Sequence, residues 1–318
     1  MSTHARTAYK PIQTRTRFQR SMHKFKDSYQ LLILFLPCLI YYIMFVYIPY
    51  WGLSISFKEY RPFIGFAKSP WVGLTHYIRF FKDPYTLTLI RNTFLLSFYD
   101  LLFGFTLTIV FALIVNEVRR PKIKKAFQTI TYMPHFISVV VIVGMLKHFL
   151  NPTGGLLFDI LYSFGMPKID LFTYAQYFRP LYVSSGIWQS IGWGAIIYYA
   201  AFAGIDSELY DAAAIDGATK MRQIIHITLA SIRPTIMVLF ILRTGSLFTV
   251  GFDKAFLMQT AATYSTSDVI STYVYRQGLA GSQFSYASAV GVFNAVVNLL
   301  FVIISNHGSK KLTETGLF

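Results

Sequence analysis

Asp206-Ser207-Glu208-Leu209-Tyr210-Asp211-Ala212-Ala213-Ala214-Ile215-Asp216-Gly217-Ala218-Thr219-Lys220 is a polar stretch between an apolar run at residues 181–203 and another at residues 232–250. Its pattern predicts a helix, a break and a second helix. Asp206 is placed to cap the first helix, and Glu208 puts negative charge into the first turn, where the helix dipole favours it. Leu209, Ala212 and Ala213 stand at i, i+3 and i+4, a narrow face of small side chains that lets another surface approach the backbone. Such a face suits docking better than it fills a core. Gly217 is able to take the left-handed conformation that ends a helix. Thr219 is placed to cap the next helix, whose apolar stripe is Met221, Ile224, Ile225 and Leu229. Pro234 falls in the first turn of the following run.

The apolar runs on either side set the fold class. With 54% hydrophobic residues, 14% charged residues and a mean hydropathy of +0.47 over 318 residues, the chain is too apolar for a single soluble core. A bilayer must be its solvent. Uninterrupted apolar runs lie near residues 30–56, 92–115, 127–150, 181–203, 232–250 and 284–305, each close to the roughly 20 residues that a membrane-crossing helix needs. The expectation is an all-α membrane protein with six transmembrane helices. A basic segment at residues 1–29 precedes a six-helix domain at residues 30–305, whose loop at 204–231 joins the fourth and fifth helices. A tail at residues 306–318 follows. The first run, from Leu31 to about Phe57, is too long for a signal peptide and has no small-residue cleavage site, so it reads as a retained span.

An even number of spans puts both termini on one side. That side carries seventeen basic residues, five of them in the short stretch Arg119, Arg120, Lys122, Lys124 and Lys125, and the opposite side carries ten. Short basic loops stay in the cytoplasm, so both termini are expected there. The net charge of +15 is then explained by contact with anionic lipid, without a nucleic-acid partner. The opposite loops, roughly 30 to 35 residues long, are rich in Gly, Pro and aromatics, as in Asn151-Pro152-Thr153-Gly154-Gly155. Such lengths suit short interfacial helices facing a soluble partner. The single Cys38 has no partner for an intrachain disulfide.

Asp211-Ala212-Ala213, three residues, Gly217, nine residues, Ile227, one residue and Leu229 together resemble the signature of the permease subunits of binding-protein-dependent ABC importers. That signature reads Glu-Ala-Ala, three residues, Gly, nine residues, Ile, one residue, Leu-Pro. Here Asp211 replaces Glu and Ala230 replaces Pro, leaving Pro234 as the nearest helix breaker. Tyr132-Met133-Pro134-His135-Phe136-Ile137-Ser138, Gly251-Phe252-Asp253 and the stretch from Asp268 to Arg276 are similar to segments of the carbohydrate-uptake branch. Within it the chain is most similar to the subgroup importing oligosaccharides released from complex polysaccharides, including pectic and rhamnogalacturonan fragments.

The resemblance implies a type I importer permease fold in a bacterial inner membrane. Asp211, Ala212, Ala213, Gly217, Ile227 and Leu229 would be the contact to an ABC ATPase dimer, with a second, related permease and an extracytoplasmic solute-binding protein completing the importer. ATP and Mg would sit on the ATPase. The chain has no Gly-x-x-x-x-Gly-Lys-Ser/Thr loop to cradle phosphates, so hydrolysis falls to another polypeptide.

Inside the runs, a central Arg243 costs about 2.5–3.5 kcal/mol to insert and must face a polar cavity or a partner. It is the leading candidate for the substrate path, and a packing contact explains it equally well. Asn294 and Asn298, at i and i+4, either line the same path or bond between helices. Trp188, Tyr198 and Tyr199 are candidates to stack on sugar rings, while most membrane aromatics anchor at lipid interfaces or pack. Lys147 and His148 snorkel towards the interface, and no metal site is expected. There is no His-Glu-x-x-His, no Gly-x-Ser-x-Gly and no intramembrane carboxylate pair, so a transporter subunit is expected, with no enzyme activity and no cofactor of its own. An ion-coupled secondary transporter of a small polar solute is the alternative, and Asp100 is its only plausible intramembrane carboxylate.

Overall fold

Residues 31–57 contain no Asp, Glu, Lys or Arg, so nothing in them opposes burial in hydrocarbon. In the computed structural model, which describes residues 29–313 apart from 166 and 168, they lie in the helix α1, Tyr29–Phe57. The segment at 1–28, with its basic residues, and residues 314–318 fall outside the described residues. Of the described residues, those at 29–54 fall in one unit and those from Ile55 in another.

The first long helix of the second unit is α2, Tyr85–Asn116, which starts seven residues before the expected 92 and contains a π turn at Asp100–Phe105. The expected single helix at 127–150 is two: α3, Pro121–Phe136, and α4, Val139–Phe149, meet at 100°. Two local signals make the corner. Pro134 lies in a tight 3-10 turn at Met133–Phe136, and Ser138 caps α4 by accepting a bond from the Val141 N–H at 3.4 Å. Hydropathy alone runs straight across such a corner.

Then come α5, Ala175–Ala203, α6, Ser207–Ile215, α7, Lys220–Ser231, and α8, Arg233–Thr244. α7 and α8 are bent by 61° at Ile232, with Pro234 in the first turn of α8, where its missing N–H is not needed. α8 stops at Thr244, six residues short of the expected 250, and residues 245–248 run on as turns into an irregular stretch at 249–251. The last long helix is α9, Phe284–Lys311.

Among the described residues α1, α2 and α9 are long and apolar enough to cross a membrane, and the two bent pairs raise the number to five if each is one crossing. α5 is 29 residues long, but Trp188, Gln189, Ser190, Trp193, Tyr198 and Tyr199 dilute its apolar character. It is shielded by protein along part of its surface: α2, α3 and the short helices Phe252–Met258 and Tyr264–Ser267 pack against it. Gly192 makes the closest of these approaches, because a Cβ there would run into the backbone carbonyl of Thr131 on α3. At one end of α5 the core is Leu96, Val143, Val183, Val250, Met258 and Val269; at the other it is Ala112, Ala195, Tyr198, Phe202 and Ile232.

The long connections contain the short helices their length suggested: Gly65–Lys68, Thr75–Lys82, Leu156–Ser163, Phe252–Met258, Tyr264–Ser267 and Ile270–Tyr275. A buried carboxylate organises the last of them. Asp268 accepts bonds from the Tyr85 hydroxyl at 2.7 Å, the Thr272 hydroxyl at 2.9 Å and the Arg276 guanidinium. Its backbone carbonyl also accepts from the Asn92 amide at 3.1 Å. This network fixes α2 against the connection that leads into α9.

Candidate functional site

Two places gather polar groups that the fold does not require for its own packing. The first is the α6–α7 loop. Asp206 caps α6 as its sequence suggests, its side chain accepting from the Glu208 N–H at 3.0 Å. At the other end Gly217 has φ +72°, and two backbone bonds close the helix: Gly217 N–H to the Ala214 carbonyl at 3.1 Å and Ala218 N–H to the Ala213 carbonyl at 2.8 Å. This pair of bonds is the Schellman arrangement, which needs a left-handed residue at Gly217. Thr219 occupies the cap position of α7 without donating or accepting through its side chain there.

The loop is held from behind and open in front. The Tyr210 and Thr228 hydroxyls share a hydrogen bond at 2.8 Å, tying α6 to α7, and Lys220 pairs with Glu117 at 3.0 Å, beyond the end of α2. Asp211, Ala212, Ile215 and Gly217 are exposed. Ala213 and Ile227 line one groove of about 300 Å³ with Ala218, Arg222 and His226. Leu229 is half-buried, just past the π turn Ile224–Thr228. A face of small side chains beside a groove, carried on a short rigid helix, can receive a partner's surface and pass a push directly into α8.

The second place is a cavity of about 290 Å³ between α2, α5, α8 and the helix Phe252–Met258. Asp100 enters from the π turn of α2, a local widening that often marks functional positions. Arg243 enters from the last turn of α8, its Nη1 3.4 Å from Asp100 Oδ2. Gln189, Ser190, Ser246, Thr249 and Lys254 add to its polar lining. Lys254 is only 8% exposed, and its ammonium donates to the Tyr182 carbonyl at 2.7 Å. Burial pulls that ammonium down to about 8, with Asp100 opposing the shift.

Of the residues expected along a path, Arg243 alone lines this cavity. Asn298 stands behind its wall: its carbonyl accepts from the Phe248 N–H at 2.8 Å and its amide donates to the Thr249 hydroxyl at 2.9 Å. It shapes the turn after α8 without entering the space. The Asn294 carbonyl oxygen is buried without a hydrogen-bond partner among the described residues. Tyr198 is buried in the core and lines a smaller cavity of about 170 Å³ on the other side of Arg243. The Tyr199 hydroxyl is buried and unpartnered among the described residues, and Trp188 lies on an exposed part of α5. Sequence reasoning missed Lys254, although the preceding Gly251-Phe252-Asp253 drew attention to the segment. The one available signal is a lysine inside Phe252-Asp253-Lys254-Ala255-Phe256, where an apolar setting asks what the charge faces. Among the described residues no group of three or more His, Cys, Asp or Glu could hold a metal.

Residues 104–310, which hold α5 to α8 and both polar places except the Leu96 to Lys254 cavity's contribution from Asp100 and its neighbours, match the model of a family described as binding-protein-dependent transport system inner membrane component. The chain is 41% identical over 300 residues to the polygalacturonan/rhamnogalacturonan transport system permease protein YteP of Bacillus subtilis (strain 168), covering 94% of each chain. It is 39% identical over 308 residues to Protein LplB of the same organism, covering 97% of each. Among solved structures, one chain of a bacterial alginate ABC transporter in complex with an alginate pentasaccharide-bound periplasmic protein superposes with a TM-score of 0.86 at 40% identity, over 94% of this chain and 100% of that one.

Proposed function

The chain belongs to the family of binding-protein-dependent transport system inner membrane components, and on that premise we propose that it is one permease subunit of a bacterial ABC importer for polysaccharide-derived oligosaccharides. The observation that carries this reading is the α6–Gly217–α7 unit. It is a capped helix with a Schellman stop, exposed on its Asp211–Ala212 face and continuous through α7 with a membrane helix. A nucleotide-driven partner that closes on α6 would bias α7 and α8 between two orientations, which is how a binding contact becomes movement across a membrane.

In this reading α1, α2, the α3–α4 pair, α5, the α7–α8 pair and α9 are six crossings, with both termini and the α6–α7 loop in the cytoplasm of a multi-pass inner-membrane protein. Residues 30–305 form its transmembrane domain. One chain supplies one docking helix, whereas a two-fold ATPase dimer offers two clefts. A second, related permease therefore completes the pore, and ATP and Mg belong to the ATPase. The long connections on the opposite side meet an extracytoplasmic solute-binding protein. The oligosaccharide assignment draws support from the names of the similar proteins, and a polar cavity beside α5 is consistent with a polyhydroxylated cargo.

Reconstitution tests the reading. The complete importer in proteoliposomes, with its binding protein, is expected to hydrolyse ATP in response to loaded binding protein and to accumulate oligosaccharide. Gly217→Val, which cannot take the left-handed stop, is expected to lower both about tenfold. Unchanged stimulation in that variant would remove the docking role from the loop. Uptake by vesicles lacking any ATPase subunit would favour an ion-coupled transporter instead.

A further inference from the structure

The cavity beside Arg243 holds two cations and one carboxylate. Arg243 meets Asp100 through a single long contact of 3.4 Å, with the two side chains 51% and 39% exposed, so this pair is loosely made and open to the space. Lys254 is different. Its ammonium is buried, donates to the Tyr182 carbonyl and lies 4.6 Å from the centre of the Tyr182 ring, and it has no carboxylate within 4.0 Å among the described residues. The bare backbone of Gly186 lets both groups approach α5 closely: a Cβ there would stand 3.1 Å from Lys254 Nζ and 3.9 Å from Asp100 Oδ1.

The site therefore has one more cation than Asp100 can balance. A buried ammonium is costly unless an anion meets it, and a cavity built only for neutral hydroxyls would gain nothing from the excess charge. Gln189, Ser190, Ser246 and Thr249 border the same space and offer partners for ring hydroxyls. We propose that this cavity is a carboxylate subsite for an acidic oligosaccharide, in which Arg243 and Lys254 hold the carboxylate of one uronate unit and Asp100 is the counter-ion that releases Arg243 as the sugar enters. This inference rests on the reading of the chain as an oligosaccharide permease and adds the charge class of its cargo. Asp100 serves as a placeholder: it keeps Arg243 ordered while the cavity is empty, and by repelling the bound carboxylate it keeps binding reversible, as passage requires.

The test uses the complete importer in lipid nanodiscs without binding protein, with trigalacturonate and its carboxyl-reduced counterpart galactotriose as probes in equilibrium binding. Wild type is expected to bind the acid at least tenfold more tightly than the neutral sugar. Lys254→Gln is expected to weaken trigalacturonate binding at least fivefold more than galactotriose binding and so to remove most of that preference, Lys254→Arg to preserve it, and Asp100→Asn to tighten the acid at least threefold. Equal binding of the two sugars by wild type, or an equal loss of both in Lys254→Gln, would overturn the subsite. If the importer still accumulates oligosaccharide in proteoliposomes, that failure belongs to the subsite alone. Absence of binding and uptake of either sugar would overturn the oligosaccharide reading, and the subsite with it.

Discussion

Lys220 at the start of α7 and Glu117 beyond the end of α2 form an ion pair of 3.0 Å, so the α6–α7 loop is attached to a third helix as well as to the two it connects. The pair lies at the surface with Glu117 half-buried, and surface pairs contribute only about 0–1 kcal/mol. The Tyr210–Thr228 hydrogen bond at 2.8 Å is half-buried and joins α6 directly to α7, where the net value of such a bond is about 1 kcal/mol. Glu117→Gln is expected to leave binding-protein-stimulated ATP hydrolysis within about twofold of wild type, the change that 0.4 kcal/mol would make. Tyr210→Phe, by loosening α6 from α7, is expected to lower the ratio of sugar transported to ATP hydrolysed. A simultaneous assay of both quantities checks the two variants.

Gly217, at φ +72°, has open space where a Cβ would go, so backbone conformation alone restricts this position. Asn tolerates the left-handed region and a β-branched residue does not. Gly217→Asn is expected to keep most of the stimulated ATP hydrolysis, and Gly217→Val to lose about tenfold. Similar activity in the two variants would show that the left-handed stop does not matter to coupling.

The parts of this molecule that were legible in the sequence are those written in local signals. Asp206, Gly217 and Pro234 each act on their own turn of backbone, and each does in the structure what its residue type suggests. The corner at Ile137 was written as locally, in Pro134 and Ser138, but the hydropathy of 127–150 masked it. Other features are long-range. Asp268 draws Tyr85 and Arg276 to itself, and Lys254 meets a carbonyl 72 positions away. Nothing in the periodicity of either segment specifies such partners. Arg243 shows the middle case: the cost of a charge in a span demands a partner, and only the fold names Asp100.

Gly192 separates packing from conformation. A Cβ there would overlap the Thr131 backbone carbonyl, whereas one on Gly144 of α4 meets nothing within 4 Å. Overpacking costs about 1–3 kcal/mol, and a helical Gly→Ala change in open space gains up to about 1 kcal/mol. Gly192→Ala is expected to lower the melting temperature of the detergent-purified complex by several degrees and Gly144→Ala to leave it equal or higher. Thermal unfolding curves of the two variants side by side decide the matter.

The Asp268 carboxylate is 0% exposed and has three side-chain donors. Asp268→Asn keeps the shape, removes the charge and leaves Arg276 without its counter-ion. Breaking a buried pair in this way costs about 3–5 kcal/mol, with the lower figure expected because Arg276 is partly exposed. The variant is expected to be poorly stable, and Arg276→Lys to be milder, since an ammonium keeps the charge and loses the two-point geometry. A melting temperature unchanged in Asp268→Asn would refute the anchoring role of this network.

Lys254 makes the acidic subsite sensitive to pH, and the direction follows from its surroundings. Burial lowers its ammonium to about 8, so it is charged below that pH and neutral above it. Asp100, Arg243 and Tyr182 are the charged or titratable groups facing it from the adjoining helices. A uronate carboxylate, with an ordinary value near 3–4, stays ionised throughout. Preference for trigalacturonate over galactotriose is therefore expected to be full at pH 7 and to fall steadily between pH 7.5 and 9. Bound carboxylate holds the proton on Lys254, so the midpoint should move upward as sugar concentration rises. Lys254→Arg retains its charge over this range and is expected to give a flat profile. Binding of both sugars measured at intervals from pH 6.5 to 9.5 tests this, and an identical fall in Lys254→Arg would assign the titration to another group.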